Sequence, residues 1–346
     1  MDTMTKSQLI HLVEKLKQSE KYLDKKNVQD FDTKSSNKSR IYRFYRKYAF
    51  NHDVDTELFR NNPHLMQNPN ASTFHSYSRI LHASGEREKY RKRSTLNSVV
   101  YWKKKKDILC EIEFLTNYAS NGDIIIYAGE VPYINALSKL FQNLYFHIYG
   151  TKHSSNLENV ITYKALCINH IDQYKGKDVL FISNIKTLNP IGSTPEQVEL
   201  KNEIDIRLQE KVYYYINPKK ALLRFRLPWK INLRWVTGGG RYFEYLQGDI
   251  YLQPWGSKHG TETRLLVGKN ASRIKYDNIK YEEQMAYFNN KYRPSYFHSN
   301  EYDNMDHCYD CVTEIKILKQ YLIKKNLYTS KNYNDLRNMI NTFLKR

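Results

Sequence analysis

Cysteine is scarce: Cys110, Cys167, Cys308 and Cys311 are the only four in 346 residues. They are too few and too scattered for a disulfide framework, and a reducing cytoplasm is the compartment they suit. Long apolar runs are missing as well. No stretch of about 18 apolar residues occurs, so no segment reads as a membrane-spanning helix. The opening MDTMTKSQLIHLVEKLK is an amphipathic helix pattern with charges of both signs, without the apolar core and small-residue cleavage site of a secretory signal. GxSxG and HExxH are absent. No GK[ST] follows Gly238, Gly239 and Gly240, so that triplet reads as a flexible loop and not a phosphate cradle. His307, Cys308 and Cys311 supply half of a metal-ligand spacing with no second pair to complete it. A buried helix face is the expected use of those cysteines, and no metal is expected.

Positive charge, by contrast, is plentiful. Lys and Arg outnumber Asp and Glu by 55 to 36, a formal charge of +19, and the pI is near 9.5. Such an excess attracts polyanions, nucleic acid first among them. The abundance of Lys, Asn, Tyr and Ile is also what an AT-rich genome produces, so charge alone does not settle the partner. Basic and aromatic residues interleave most densely in RIYRFYRKYAF at 40–50. There Arg40, Arg43, Arg46 and Lys47 could meet phosphates while Tyr42, Phe44, Tyr45 and Tyr48 stack on bases. A helix with its aromatics in a core and its arginines solvated would use the same residues.

Hydrophobic residues make up 40% of the chain, enough for a real core, although a mean hydropathy of −0.73 marks an unusually polar surface. Residues 1–100 read as a basic N-terminal extension. Its parts are a helix over 5–23, with a capping box at Thr5 and Gln8 and an apolar face of Leu9, Leu12, Val13, Leu16 and Leu23, then a linker at 25–39 and the basic-aromatic segment. Residues 51–100 hold the turn-rich NNPHLMQNPNAST and the basic run REKYRKRS, with no repeat.

From 101 to 346 helices and apolar runs alternate. KKKKDILCEIEFLTNYA predicts a helix with a stripe of Ile108, Leu109, Ile112 and Leu115. DIIIYAG is a short apolar run ending in Gly, as expected of a buried parallel strand. INALSKLFQN follows as a helix, then LYFHIYG, NVITYKALC and DVLFISN as strands, and EQVELKNEIDIRLQE (196–210) as a helix. After KVYYYINP and KALLRFRLP, strands are expected at 250–255 and 261–268, and helices with a tyrosine-rich surface in the final 75 or so residues. This order predicts an α/β fold, a doubly wound, mainly parallel sheet with right-handed crossovers.

The ordered blocks CEIEFLTNYA, DIIIYAGEVP, DVLFISNIK, YYYINPKKALLRFRLPW, YLQPWGSKHGTETRLL and YEEQMAYFNNKYR resemble the poly(A) polymerase regulatory subunit family of poxviruses and related giant viruses. The resemblance spans roughly 101–320 and implies a Rossmann-like S-adenosylmethionine methyltransferase fold. It also implies two activities: methylation of the ribose 2′-hydroxyl next to an mRNA cap, and stimulation of a catalytic poly(A) polymerase subunit. By the same resemblance the partners would be RNA, capped mRNA among it, the catalytic polymerase subunit and a possible second copy of the chain, with no membrane. The setting would be the cytoplasm, in the viral factory or virion of a large DNA virus.

Carried over by register, the family's Lys-Asp-Lys-Glu tetrad falls on Lys106, Asn184, Arg224 and Glu262. In the family the central lysine, its pKa lowered, helps to deprotonate or orient the 2′-hydroxyl. Arginine's pKa, above about 12, makes Arg224 useless as a neutral base, and Asn184 removes the neighbouring negative charge. On the cofactor side Gly129 and Pro132 keep the first loop, but Tyr133 stands where a second glycine belongs, in space that a close ligand needs. The acidic residue that would hold the ribose hydroxyls falls on Tyr149, and a phenol cannot replace a bidentate carboxylate. Cap-binding positions fall on Trp229, Tyr281 and Glu282, with Ile231 at a second acidic position. Trp229 packing under the RFRLPWK turn is the competing use of that ring. The expectation is therefore an RNA-binding adaptor for polyadenylation with a degenerate methyltransferase site and no bound cofactor. Its rivals are an active cap 2′-O-methyltransferase using S-adenosylmethionine and a virion or scaffold protein that keeps only the fold.

Overall fold

The computed structural model describes residues 77–345 apart from 83, 89–102, 151–155, 167, 188–192, 232–233, 236–239, 258–259, 294–295 and 297–308. Arg40, Arg43, Arg46, Lys47, Cys167, His307 and Cys308 lie outside the described residues.

Helix α1 (Lys103–Tyr118) leads into strand β1 (Ile124–Ala128), helix α2 (Ile134–Leu140), and strands β2 (Tyr145–Tyr149) and β3 (Val160–Tyr163). A short helix α3 (Ile168–Ile171) precedes β4 (Leu180–Ser183), α4 (Pro195–Ile216) and β5 (Lys220–Phe225). The two-residue strands β6 (Lys230–Ile231) and β7 (Arg234–Trp235) come next, then β8 (Tyr242–Leu246), β9 (Asp249–Tyr251), β10 (Thr263–Gly268) and β11 (Arg273–Asp277). Helices α5 (Asn278–Tyr287), α6 (Tyr309–Lys324) and α7 (Ser330–Lys345) follow.

The main sheet has the order β3-β2-β1-β4-β5-β10-β9. β3, β2, β1, β4 and β5 run parallel, and β10 and β9 add an antiparallel edge. The α/β, mainly parallel expectation therefore holds. β1, β4 and β5 are buried almost throughout and read as apolar runs with no polar side to alternate with, whereas β2 and β3 leave Tyr145 and Ile161 exposed. Ile125, Ile126, Tyr127, Phe181, Ile182 and Leu223 are fully buried. The chain winds from β1 outward to β2 and β3, then returns to β4 on the other side of β1. That reversal opens a crevice at the carboxyl ends of β1 and β4.

Several local outcomes differ from the sequence reading. The predicted helix 196–210 runs on through KVYYYI to Ile216. Thr194 and Gln197 close a capping box at its start, and Asn217, at φ 50°, ends it. The strand expected over 250–255 stops at Tyr251, because the chain turns through Pro254 and Trp255, the latter at φ 58°. The C-terminal tyrosines expected at the surface are largely core: Tyr281, Tyr296, Tyr309 and Tyr321 are buried. Ile80, within the stretch assigned to the extension, bridges antiparallel to Tyr251 at the sheet edge, and Arg79 pairs with Glu113 of α1.

Candidate functional site

The crevice is a cavity of about 1220 Å³. Its walls include Lys106, Gly129, Pro132, Tyr133, Tyr149, Asn184, Arg224, Trp229 and Glu262. The fold thus brings all four tetrad positions, the first-loop residues and the aromatic of the cap side to one place.

The tetrad positions form an ion cluster. Glu262, just ahead of β10, takes a hydrogen bond from Lys106 Nζ on α1 and another from Arg224 Nε on β5 at 2.8 Å. Burial alone would raise the Glu262 carboxyl, but Lys106 and Arg224 outweigh it and hold it well below the usual range. Burial likewise opposes the charge on Lys106, yet Asp107 and Glu262 push its pKa above the usual value. Lys106 is therefore an ammonium at neutral pH. Arg224 also reaches Asn202 Oδ1 at 3.3 Å. Asn184, at the aspartate position, is 3.5 Å from Arg264 through its side-chain oxygen.

Two residues that the sequence reading passed over complete this cluster. In the antiparallel register Arg224 lies directly opposite Arg264. Like charges so placed repel, and each needs its own carboxylate. Arg224 has Glu262, and Arg264 has Asp107 at 2.9 Å. A charge inside an apolar strand, as in ALLRF and TRLLV, was the available signal; the strand register that pairs the two arginines was not.

The first loop is shaped by Gly129. At φ 114° it occupies a conformation that other residues rarely take, and a Cβ there would stand 2.7 Å from the Asn184 carbonyl oxygen. Tyr133 lines the cavity but does not stand free in it. It is 2% exposed, and its hydroxyl donates to Glu111 Oε1 of α1 at 2.8 Å, as does that of Tyr127. The phenol is held by a buried acid and forms part of the cavity wall. Burial raises the Glu111 carboxyl to about 7. At the end of β2, Tyr149 is buried and stacks on Tyr163 with centroids 4.4 Å apart. Its hydroxyl is within 3.2 Å of Tyr174 Oη and 3.3 Å of the His170 carbonyl. The loop's own carboxylate, Glu130, lines the cavity.

On the cap side only Trp229 reaches the cavity wall. Its indole N–H donates to Thr261 Oγ1 at 3.0 Å, and the Arg226 guanidinium lies 5.2 Å from its ring centroid. Tyr281 is buried, donates to the Thr261 carbonyl and packs edge-on against Phe225. It does not line the cavity. Glu282 sits beside it on α5, outside the cavity wall, its carboxyl raised by burial and by Glu283.

The opposite wall depends on residues without a sequence motif. Arg293 donates to Asp310 through Nε and Nη2, at 2.9 and 2.6 Å, and to the Gly256 carbonyl at 2.8 Å. Trp255 donates its backbone N–H to Asp310 at 3.1 Å and its indole N–H to Glu314 at 2.9 Å. These bonds fix the turn 253–257 at a strained left-handed residue. Among the described residues no group of three or more His, Cys, Asp and Glu could hold a metal ion. Cys110 and Cys311 are buried.

A family model described as Poly A polymerase regulatory subunit matches residues 77–346. A cap-specific mRNA (nucleoside-2′-O-)-methyltransferase of fowlpox virus (strain NVSL) is 27% identical, over 62% of this chain and 75% of its own length. Among solved structures, that of bluetongue virus VP4, a multifunctional RNA-capping production line, is 14% identical with a TM-score of 0.43. The match covers 70% of this chain, which spans 42% of the VP4 chain.

Proposed function

Because this chain belongs to the poly A polymerase regulatory subunit family, we propose that it is an RNA-binding regulatory subunit of a catalytic poly(A) polymerase that has set methyl transfer aside. The observation that carries this reading is the Lys106–Glu262–Arg224 cluster. A base for a ribose hydroxyl must be neutral at working pH. Arg224 stands at the central position as a cation that keeps its proton. Lys106 remains an ammonium because two carboxylates hold its charge. With Asn184 at the aspartate position, no group among the four can accept the proton except Glu262, whose carboxyl is spent on the two cations.

The donor set also does not fit S-adenosylmethionine. Its ribose diol would meet the phenol of Tyr149, already engaged with Tyr174 and His170, where two carboxylate oxygens are needed. A methylated cap is disfavoured in the same way. The cationic base would share the Trp229 ring with the Arg226 guanidinium. What remains suited to the cavity is RNA without a cap requirement, with Lys104, Lys186 and Arg226 on the wall to meet phosphates. The setting that follows is mRNA 3′-end formation in the cytoplasmic factory or virion of a large DNA virus.

Calorimetric titration of the full chain tests this. S-adenosylmethionine should give no heat of binding, and single-stranded RNA should bind equally with and without a methylated cap. Micromolar binding of S-adenosylmethionine, or a clear preference for the cap, would overturn the reading.

A further inference from the structure

The turn joining α6 to α7 contributes no residue to the cavity wall. Residues 323–330 are exposed without interruption, with Ile323 at 53%, Leu327 at 52% and Tyr328 at 43%. From 315 to 334 the chain carries five lysines, Lys316, Lys319, Lys324, Lys325 and Lys331, and no Asp or Glu. The two carboxylates of α6, Asp310 and Glu314, are buried and paired with Arg293 and Lys105. On the adjoining turn from α1 to β1, Asp123 is held by Lys219. The first carboxylate of α7 is Asp335.

The turn is built rather than trailing. Lys324 Nζ donates to the Thr116 carbonyl near the end of α1. Tyr321 donates to the Leu140 carbonyl at the end of α2 at 2.7 Å, and Lys325 Nζ lies 5.9 Å from the Phe141 ring centroid. Asn326, at φ 57°, reverses the chain, and Leu327 N–H donates to the Leu322 carbonyl at 2.8 Å. Asn332 then donates to the Leu327 carbonyl at 2.7 Å. The ring of Tyr328 is held on the surface with Lys319 Nζ 4.9 Å from its centroid.

These anchors, the ends of α1 and α2, lie where the parallel strands begin, whereas the cavity lies where they finish. A strand of this length spans about 17 Å, so a mononucleotide cannot touch both places, but a single-stranded tract can. Ammonium groups along a stretch that carries no carboxylate of its own, around an exposed aromatic ring fixed in position, match a phosphodiester backbone with unstacked bases. We infer that the α6–α7 turn is a second contact point for single-stranded RNA, in which Lys319, Lys325 and Lys331 take phosphates and Tyr328 takes a base.

This rests on the RNA-binding reading above, and the experiment separates the two. Fluorescence anisotropy of the full chain is measured with labelled oligoadenylates of about 20 and about 5 nucleotides. The variants are Lys319→Glu/Lys325→Glu/Lys331→Glu, its Gln counterpart and Tyr328→Ala. The charge-reversed variant should bind the long oligomer at least tenfold more weakly, with a log–log salt slope shallower by about 2, and the Gln variant should lose less. Binding of the short oligomer to the cavity should change little. A thermal midpoint equal to that of the wild type confirms that the fold is intact; if the Glu variant is unstable, the Gln variant and Tyr328→Ala decide. If the wild type binds neither oligomer, the RNA-binding reading fails and this inference with it. If the wild type binds the long oligomer and the variants match it, the inference alone fails, and the turn faces a protein instead.

Discussion

Glu111 shows what a single side chain contributes to the site. It is fully buried, accepts hydrogen bonds from Tyr127 and Tyr133, and its Oε2 atom has no hydrogen-bond partner among the described residues. Burial moves its carboxyl from the ordinary 4.5 to about 7. Between these two values the unfolded chain has already ionised while the folded one keeps its proton. Folding is therefore favoured below pH 4.5, and that advantage is lost as pH rises to about 7. The loss is on the order of 3 kcal/mol. Glu111→Gln keeps an acceptor for both phenols and cannot ionise, so its urea midpoint should stay flat from pH 5 to 7 while that of the wild type declines. Parallel curves would mean that Glu111 is not the titrating group. The sequence placed Tyr133 at a glycine position and so predicted a plug. It could not reveal that the ring has a buried acceptor 22 residues earlier in the chain.

Among the elements, the meeting of β1 with β4 is the most constrained. Gly129 leaves β1 against the Asn184 carbonyl, and the backbones of both loops are fixed by the sheet: Asn184 N–H donates to the Ala128 carbonyl and Gly129 N–H to the Tyr149 carbonyl, both at 2.8 Å. Gly129→Ala should lower stability by roughly 2–3 kcal/mol, since a Cβ there meets backbone that cannot give way and the φ is strained for any L-residue. Equilibrium denaturation measures this, and a loss below about 0.5 kcal/mol would show that the loop can shift. The strands and helices themselves were legible, because apolar runs and 3.6-residue periodicity are local properties. Where helix α4 ends and where β9 stops were not. Helix α4 continues because Tyr213 and Ile216 find a core to enter, and β9 stops because Trp255 is drawn towards Asp310 and Glu314 of a helix some 55 residues later in the chain.

At the scale of the whole molecule the formal charge of +19 becomes a property that salt can report. If RNA is held by about five basic contacts, the log–log dependence of affinity on salt should have a slope near −3.5, about −0.7 for each contact. Filter binding from about 50 mM salt upwards measures it. A slope near zero would mean that stacking, not phosphate contact, holds the RNA.

The amino-acid sequence by itself determined the α/β order of elements, the family, and the identity of the residues at Lys106, Asn184, Arg224 and Glu262. Each of these depends on local pattern or on ordered blocks of residues. Only the tertiary structure decided what those residues are to one another. The antiparallel register of β5 and β10 sets Arg224 against Arg264 and so commits Glu262 and Asp107 as their counter-charges. A hydrogen bond to Glu111 of α1 fixes the Tyr133 phenol in the cavity wall, and Tyr281 is buried away from that wall. The physical reason is the same in each case. Charge pairing and burial depend on which segments meet across the sheet, and that distance in space has no counterpart in spacing along the chain.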